Sequence, residues 1–154
     1  MTKINRREFV AGIAAAGAGV CLCQVAACTR SKTPPIQPGA YIIENGKLRI
    51  TLTQAPELAN IGGSIKIPDP KLPEPLIIAR TGSGQFAVMS LKCTHAGREI
   101  EYLSQSQQFQ CSKCNHSLFD INGSPIQGPA KRPLNKYSSR LGLLDRNKLT
   151  IYLS

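Results

Sequence analysis

From Ala40 onward, apolar and polar residues alternate with the two-residue period of half-buried strands. Lys47-Leu48-Arg49-Ile50-Thr51-Leu52-Thr53 alternates without a break. The tight-turn signal Glu44-Asn45-Gly46 before it predicts a hairpin with Tyr41-Ile42-Ile43. Lys148-Leu149-Thr150-Ile151-Tyr152-Leu153 repeats the alternation near the C-terminus. Between these segments lie shorter apolar stretches at 65–67, 76–79, 86–91 and Phe109, punctuated by Gly82-Ser83-Gly84, Asn122-Gly123 and several prolines. No window from 40 to 154 sustains a 3.6-residue period over the roughly ten residues a helix requires. The pattern therefore predicts an all-β domain, a small antiparallel barrel or sandwich.

Upstream of Ala40 the pattern changes. Residues 1–9 are basic and polar, and Val10 to Ala27 is an uncharged run rich in Ala, Gly and Val, which is the zoning of an export signal. With Gly12, Gly17, Gly19 and Gln24 inside it, the run is a marginal membrane span. Asn5-Arg6-Arg7-Glu8-Phe9-Val10 resembles a twin-arginine (Tat) export signal. Val25-Ala26-Ala27-Cys28 resembles a bacterial lipobox, which makes Cys28 the candidate lipidation site. Plain cleavage after Ala27 and a retained anchor helix are the alternatives. Each places the domain outside the cytoplasm, in the periplasm or on the outer face of a bacterial membrane. Residues 28–39 contain Pro34, Pro35 and Pro38 among polar residues and read as an extended tether. The expected order is thus a signal at 1–27, a tether at 28–39 and the domain at 40–154.

At 154 residues the chain holds one ordinary domain, which excludes a multidomain enzyme. Its 19 lysines and arginines outnumber 9 acidic residues for a formal charge of +10, spread along the chain without a dense block. Charge alone is compatible with nucleic acid, an anionic membrane or an acidic protein. With no tryptophan, four phenylalanines and four tyrosines, the chain lacks a set of aromatics for stacking bases, and no nucleic-acid partner is expected. No carboxylate pair, Ser/His/Asp set or phosphate-binding glycine loop points to catalysis.

The cysteines and histidines carry the chemistry. Of six cysteines, Cys21 and Cys23 lie in the signal and Cys28 is the lipidation candidate, leaving Cys93, Cys111 and Cys114 in the domain. An odd number excludes a complete disulfide framework. The two histidines, His95 and His116, each stand two residues from a cysteine. Cys93-Thr94-His95 and Cys111-Ser112-Lys113-Cys114-Asn115-His116 are two Cys/His clusters able to converge from separate loops on one metal centre.

Here the chain resembles the Rieske family of [2Fe–2S] proteins. Cys93-Thr94-His95-Ala96-Gly97 fits the first cluster box of that family, and Ser117-Leu118-Phe119-Asp120, Gly123, Gly128-Pro129-Ala130 and Pro133-Leu134 fit the second box's tail and the segments after it. The resemblance covers residues 40–154 and implies a [2Fe–2S] cluster held by a two-loop subdomain, two thiolates on one iron and two neutral imidazoles on the other. Such ligation raises the potential to roughly −150 to +300 mV. A Tat signal agrees with it, because that route carries cargo folded around its cofactor.

The second box departs from the family. The expected histidine falls at 114 when counted from Cys111 and at 115 when counted back from Phe119, and these positions hold Cys114 and Asn115. Three ligand sets remain: Cys93, His95, Cys111 and His116; Cys93, His95, Cys114 and His116; or Cys93, His95, Cys111 and Cys114. A structural zinc on the same residues, in a zinc-stabilised binding module, is the non-redox alternative. The quinol-oxidising branch of the family carries a loop-bridging cysteine where this chain has Arg98. The resemblance thus implies a membrane-anchored one-electron carrier between redox proteins, or else the iron–sulfur subunit of a larger oxidoreductase such as a quinol–cytochrome c reductase or an arsenite-oxidase-like enzyme. Ser117 stands where the family's serine donates to a cluster sulfide, and Lys113, Lys131 and Arg132 would steer an acidic partner.

Overall fold

The computed structural model describes residues 33–113 and 117–154. Arg6, Arg7, Cys28, Cys114 and His116 therefore lie outside the described residues. The fold is all-β, in three antiparallel sheets.

The first sheet has the order β1 (Tyr41–Glu44), β2 (Lys47–Thr51), β11 (Lys148–Tyr152) and β10 (Ser139–Leu141). Asn45 and Gly46 turn the β1–β2 hairpin at φ of 50° and 68°, the pair of left-handed residues that a two-residue hairpin turn requires. Leu48, Ile50, Leu149 and Ile151 point inward and are buried, while Arg49 and Lys148 face solvent. The alternation in the sequence is this inside–outside pattern. Strand β2 stops at Thr51, although the alternation runs to Thr53. Asn147 diverts the chain there: its carbonyl accepts the Leu52 N–H at 2.8 Å and its Oδ1 accepts the Thr53 N–H at 2.7 Å. Two 3-10 turns follow, Leu52–Gln54 and Pro56–Leu58.

The second sheet is β3 (Ser64–Ile67), β4 (Leu76–Gly82) and β5 (Gln85–Ser90). It is covered on both faces, which is why β4 reads as the continuous apolar run Leu76-Ile77-Ile78-Ala79. Leu76, Ile78 and Val88 pack into a core shared with the first sheet. Ile77, Ala79, Ala87 and Met89 pack into a second core with Ile100, Phe109 and Phe119.

The third sheet is β6 (Ile100–Leu103), β7 (Gln108–Cys111), β8 (Leu118–Phe119) and β9 (Pro125–Gln127). Tyr102 and Phe109 pair across β6 and β7, their ring centroids 5.3 Å apart.

Backbone pairing begins well before Ala40. Pro35 bridges Lys66 in parallel, the Lys66 N–H donates to the Pro34 carbonyl and the Ile36 N–H to the Lys66 carbonyl, both at 2.8 Å. The Thr33 N–H donates to the Glu101 carboxylate at 2.8 Å, and the Tyr102 N–H donates to the Thr33 hydroxyl at 3.3 Å. This strap is buried at Thr33 and Ile36. Prolines suit it because a segment pairing through one edge has N–H groups to spare.

Candidate metal centre

Three loops of the second core's lobe meet at one end. The first joins β5 to β6 through Leu91–Glu99. It closes on itself through the Cys93 N–H to the Arg98 carbonyl at 2.7 Å and the Gly97 N–H to the Cys93 carbonyl at 2.8 Å. The second starts at Cys111, the last residue of β7, which pairs with Ile100 at the start of β6. That pairing sets the two loops side by side, and Ser112 ties them, its N–H and hydroxyl both donating to the Glu99 carbonyl at 3.0 Å. The third, Gly128-Pro129-Ala130, leans on the second: the Ala130 N–H donates to the Ser117 Oγ at 3.2 Å, and the Ser117 carbonyl accepts the Cys111 N–H at 2.9 Å. Thr94 joins the first loop to the third through its hydroxyl, which donates to the Arg132 carbonyl at 2.7 Å.

This frame buries Cys93 and Cys111 at 2% and 0% exposure and brings their side chains within hydrogen-bonding reach of each other, with neither in a disulfide. Burial pushes the Cys93 thiol above its ordinary value. The backbone N–H groups of His95 and Ala96 act against that rise and the adjoining Cys111 adds to it. His95, two residues on, is exposed and borders an open cleft of about 360 Å³ shared with Thr94, Gly97 and Arg132.

Two adjoining buried sulfurs, one with N–H groups directed at it, are a poor place for a lone thiolate. They are a good place for thiolates that share a cation. The donor set therefore fits an iron–sulfur site, with the sulfur pair inside and an imidazole at the surface. Among the described residues the structure brings together the Cys93–Cys111 pair, while no three His, Cys, Asp or Glu side chains there converge to hold a metal ion, and His95 stands apart from the two sulfurs. Cys114 and His116, the other two candidates, follow Lys113 in the second loop and lie outside those residues.

Sequence reasoning missed a buried ionic hub beside the centre. The Lys66 Nζ lies 2.5 Å from Glu101 and 3.1 Å from Glu99, and Glu101 also receives the strap's Thr33 N–H. Lys66 sits in the alternating stretch Ser64–Ile67, where it reads as an outward-facing strand residue, and nothing local announces a partner 35 positions away.

Residues 66–138 match the family model of the Rieske [2Fe-2S] domain. The chain is 27% identical over 86 residues to the cytochrome b6-f complex iron-sulfur subunit of Chlorobaculum thiosulfatiphilum, covering 53% of this chain and 47% of that protein. It is 33% identical over 82 residues to the oxygenase subunit of the tert-butanol monooxygenase / tert-amyl alcohol desaturase of Aquincola tertiaricarbonis, covering 52% of this chain and 16% of that one. The chain thus spans less than half the length of these curated relatives. Among solved structures, the cyanobacterial plasma membrane Rieske protein of Synechocystis shares 27% identity over 57% of this chain and 84% of that one, with a TM-score of 0.48. The matched residues take in all three loops and the buried sulfur pair, and they form a Rieske domain, the domain that binds a [2Fe–2S] cluster.

Proposed function

We propose that this chain is an exported Rieske-type electron-transfer protein, tethered to a membrane through Cys28 and passing single electrons between redox proteins. The observation that carries the reading is the contrast within the first loop: Cys93 is buried against Cys111, while His95 is exposed at the surface. When bound, the cluster supplies a one-electron couple. Cys93 and Cys111 would hold its thiolate side away from water, and the exposed His95 would be open to a docking protein. Cys93 and Cys111 serve as the inner ligands in this reading, and His95 and His116 as the outer pair. Export and anchoring are supported by Arg6-Arg7-Glu8-Phe9 and by Val25-Ala26-Ala27-Cys28.

A second reading, an iron–sulfur subunit of a larger oxidoreductase, is favoured by the relatives above, both named as subunits. Co-purification from native membranes separates the two, since only a subunit brings a stable partner with it.

The deciding experiment is metal analysis with EPR of anaerobically purified protein and three variants. The proposal expects about two irons and two acid-labile sulfides per chain. It further expects His116→Ala and Cys111→Ala to abolish the reduced-state signal and Cys114→Ala to retain it. One zinc per chain, or an intact Rieske signal in His116→Ala, overturns it.

A further inference from the structure

The first sheet turns an unusual surface to solvent. Arg49 of β2, Thr150 of β11 and Arg140 of β10 stand in one cross-strand row, flanked by the Lys47–Tyr152 and Thr51–Lys148 pairs. The Lys47 ammonium lies over the Tyr152 ring, 5.6 Å from its centroid. The acids nearby are Glu44, 3.7 Å from Arg49, and Asp145, 3.4 Å from Lys148. Four cations, Lys47, Arg49, Arg140 and Lys148, stand against two carboxylates, each already shared.

At the edge of this face the β10–β11 turn projects Leu143 and Leu144, 79% and 104% exposed. The projection is built by its surroundings. The Gly142 N–H donates to the Lys148 carbonyl at 2.8 Å, and a Cβ on Gly142 would stand 2.3 Å from the Asp145 carbonyl oxygen. The Asn147 N–H donates to the Asp145 carboxylate at 3.0 Å, while Asn147 is itself fastened to Leu52 and Thr53. Arg140 and Lys148 line the same shallow hollow of about 420 Å³ as the two leucines. Two fully presented aliphatic side chains among cations suit a surface with acyl chains beneath anionic headgroups.

The chain's course singles out the same end of the domain. Leu141 packs over Gly84 in the β4–β5 turn, and β5 runs from that turn to the loop of Cys93, a strand of about 20 Å. The leucine tip is thus at the end away from the buried sulfur pair. The strap pairs in parallel with β3, with the Thr33 hydroxyl 3.2 Å from the Ser64 hydroxyl. Ser64 pairs with Ala79 of β4, whereas Ile67 pairs with Leu76 beside the loop of Cys93. Followed backward, the strap therefore leads away from the loops. Thr33 follows Cys28 by five residue steps, at most about 17 Å of chain.

We infer that Leu143 and Leu144, with Arg140 and Lys148, form a membrane-docking surface for an anionic bilayer, holding the cluster loops away from the lipid and open to water-soluble redox partners. The inference rests on the anchored reading of Cys28 for the direction of the strap, and on the sheet face independently of it.

The chain contains no tryptophan, so Leu144→Trp in the full chain is a lone fluorescent reporter at the leucine tip. Ile126→Trp in β9, 51% exposed in the cluster-bearing lobe, is the control. Both are mixed with vesicles of phosphatidylglycerol and phosphatidylethanolamine carrying brominated acyl chains. The expected result is blue-shifted, quenched emission from the tip reporter and unquenched emission from the control. Adding Arg140→Glu and Lys148→Glu to the Leu144→Trp chain should raise the vesicle concentration for half-maximal quenching at least about tenfold. An unquenched tip reporter on sedimented vesicles overturns the docking surface while leaving the anchor intact, as does quenching of the control alone. Quenching of the tip reporter that survives in a Cys28→Ala chain fully attached to the vesicles removes the anchor and keeps the surface. Failure of the full chain to bind these vesicles overturns both.

Discussion

Gly128 lies so close to Ser117 that a Cβ on it would stand 2.7 Å from the Ser117 Cα, and it holds a φ of +88°. Both facts demand glycine, because an alanine there meets backbone rather than the end of a flexible side chain. Gly128→Ala is expected to destabilise the domain by about 2–3 kcal/mol. The third loop should lift from the second, and iron content per chain should fall. Denaturant unfolding and metal analysis of the purified variant check this.

Lys66 links the strap, through Glu101, to the first cluster loop, through Glu99. Lys66→Met leaves Glu101 buried without its cation and should cost about 3–5 kcal/mol. The double variant Lys66→Met with Glu101→Leu removes both charges and should recover most of that loss. A double-mutant cycle by urea unfolding measures the coupling, and equal losses in the single and double variants would contradict it.

Acid stability should depend on Glu74. Burial pushes its carboxyl up, but hydrogen bonds from Ser90, Asn135 and Tyr137, with the Lys92 charge, outweigh that and hold it below the usual carboxylate range. A lowered folded value means the contribution is complete above the unfolded pKa and disappears as pH falls through the folded one. Glu74→Gln should therefore destabilise the protein at neutral pH by about 1–2 kcal/mol and by progressively less below about pH 4. Thermal unfolding of both proteins across that range reads the convergence.

Alkaline stability should depend on Tyr41 and Tyr137. Burial, together with hydrogen bonds to Asp69 and Glu74 respectively, pushes both phenols up to about 12. A raised folded value gives stability that is complete below the unfolded pKa, near 10, and is lost as pH climbs toward 12. Ultraviolet titration should show three late-ionising tyrosines, because burial pushes the Tyr102 phenol up as well. Tyr41→Phe and Tyr137→Phe should each remove one and flatten the loss of stability in that window.

Where a segment's burial follows from its own period, the sequence displayed the fold. The outward lysines and arginines of β2 and β11 alternate with Leu48, Ile50, Leu149 and Ile151, and β4 is a solid apolar run because both its faces are covered. Strands β6 and β8 to β10 were not legible. They are two to four residues long, β9 opens on Pro125, and β6 buries Glu101, which the alternation Ile100-Glu101-Tyr102 would turn outward. That carboxylate makes sense only against Lys66 and Thr33, far away in sequence. The strap was hidden for a related reason: prolines signal extended backbone but not the edge it lies on. Around the centre, the Cys-x-His spacing drew attention to Cys93 and His95. The proximity of Cys93 to Cys111 depends on the Ile100–Cys111 pairing, which no local pattern displays.

The doubly covered sheet of β3, β4 and β5 is a party wall between two rooms. Side chains on its one face belong to the hairpin-built base, and those on its other face belong to the loops and the sulfur pair. Opening the second room exposes one side of the wall and leaves the first room closed, so the two halves have separate opening free energies joined at these strands. Amides of β4 and β5 should thus be the slowest to exchange with solvent in the whole domain. A chain that has lost its cluster then keeps a folded floor on which the three loops can close again, and refilling the site needs only a local rearrangement.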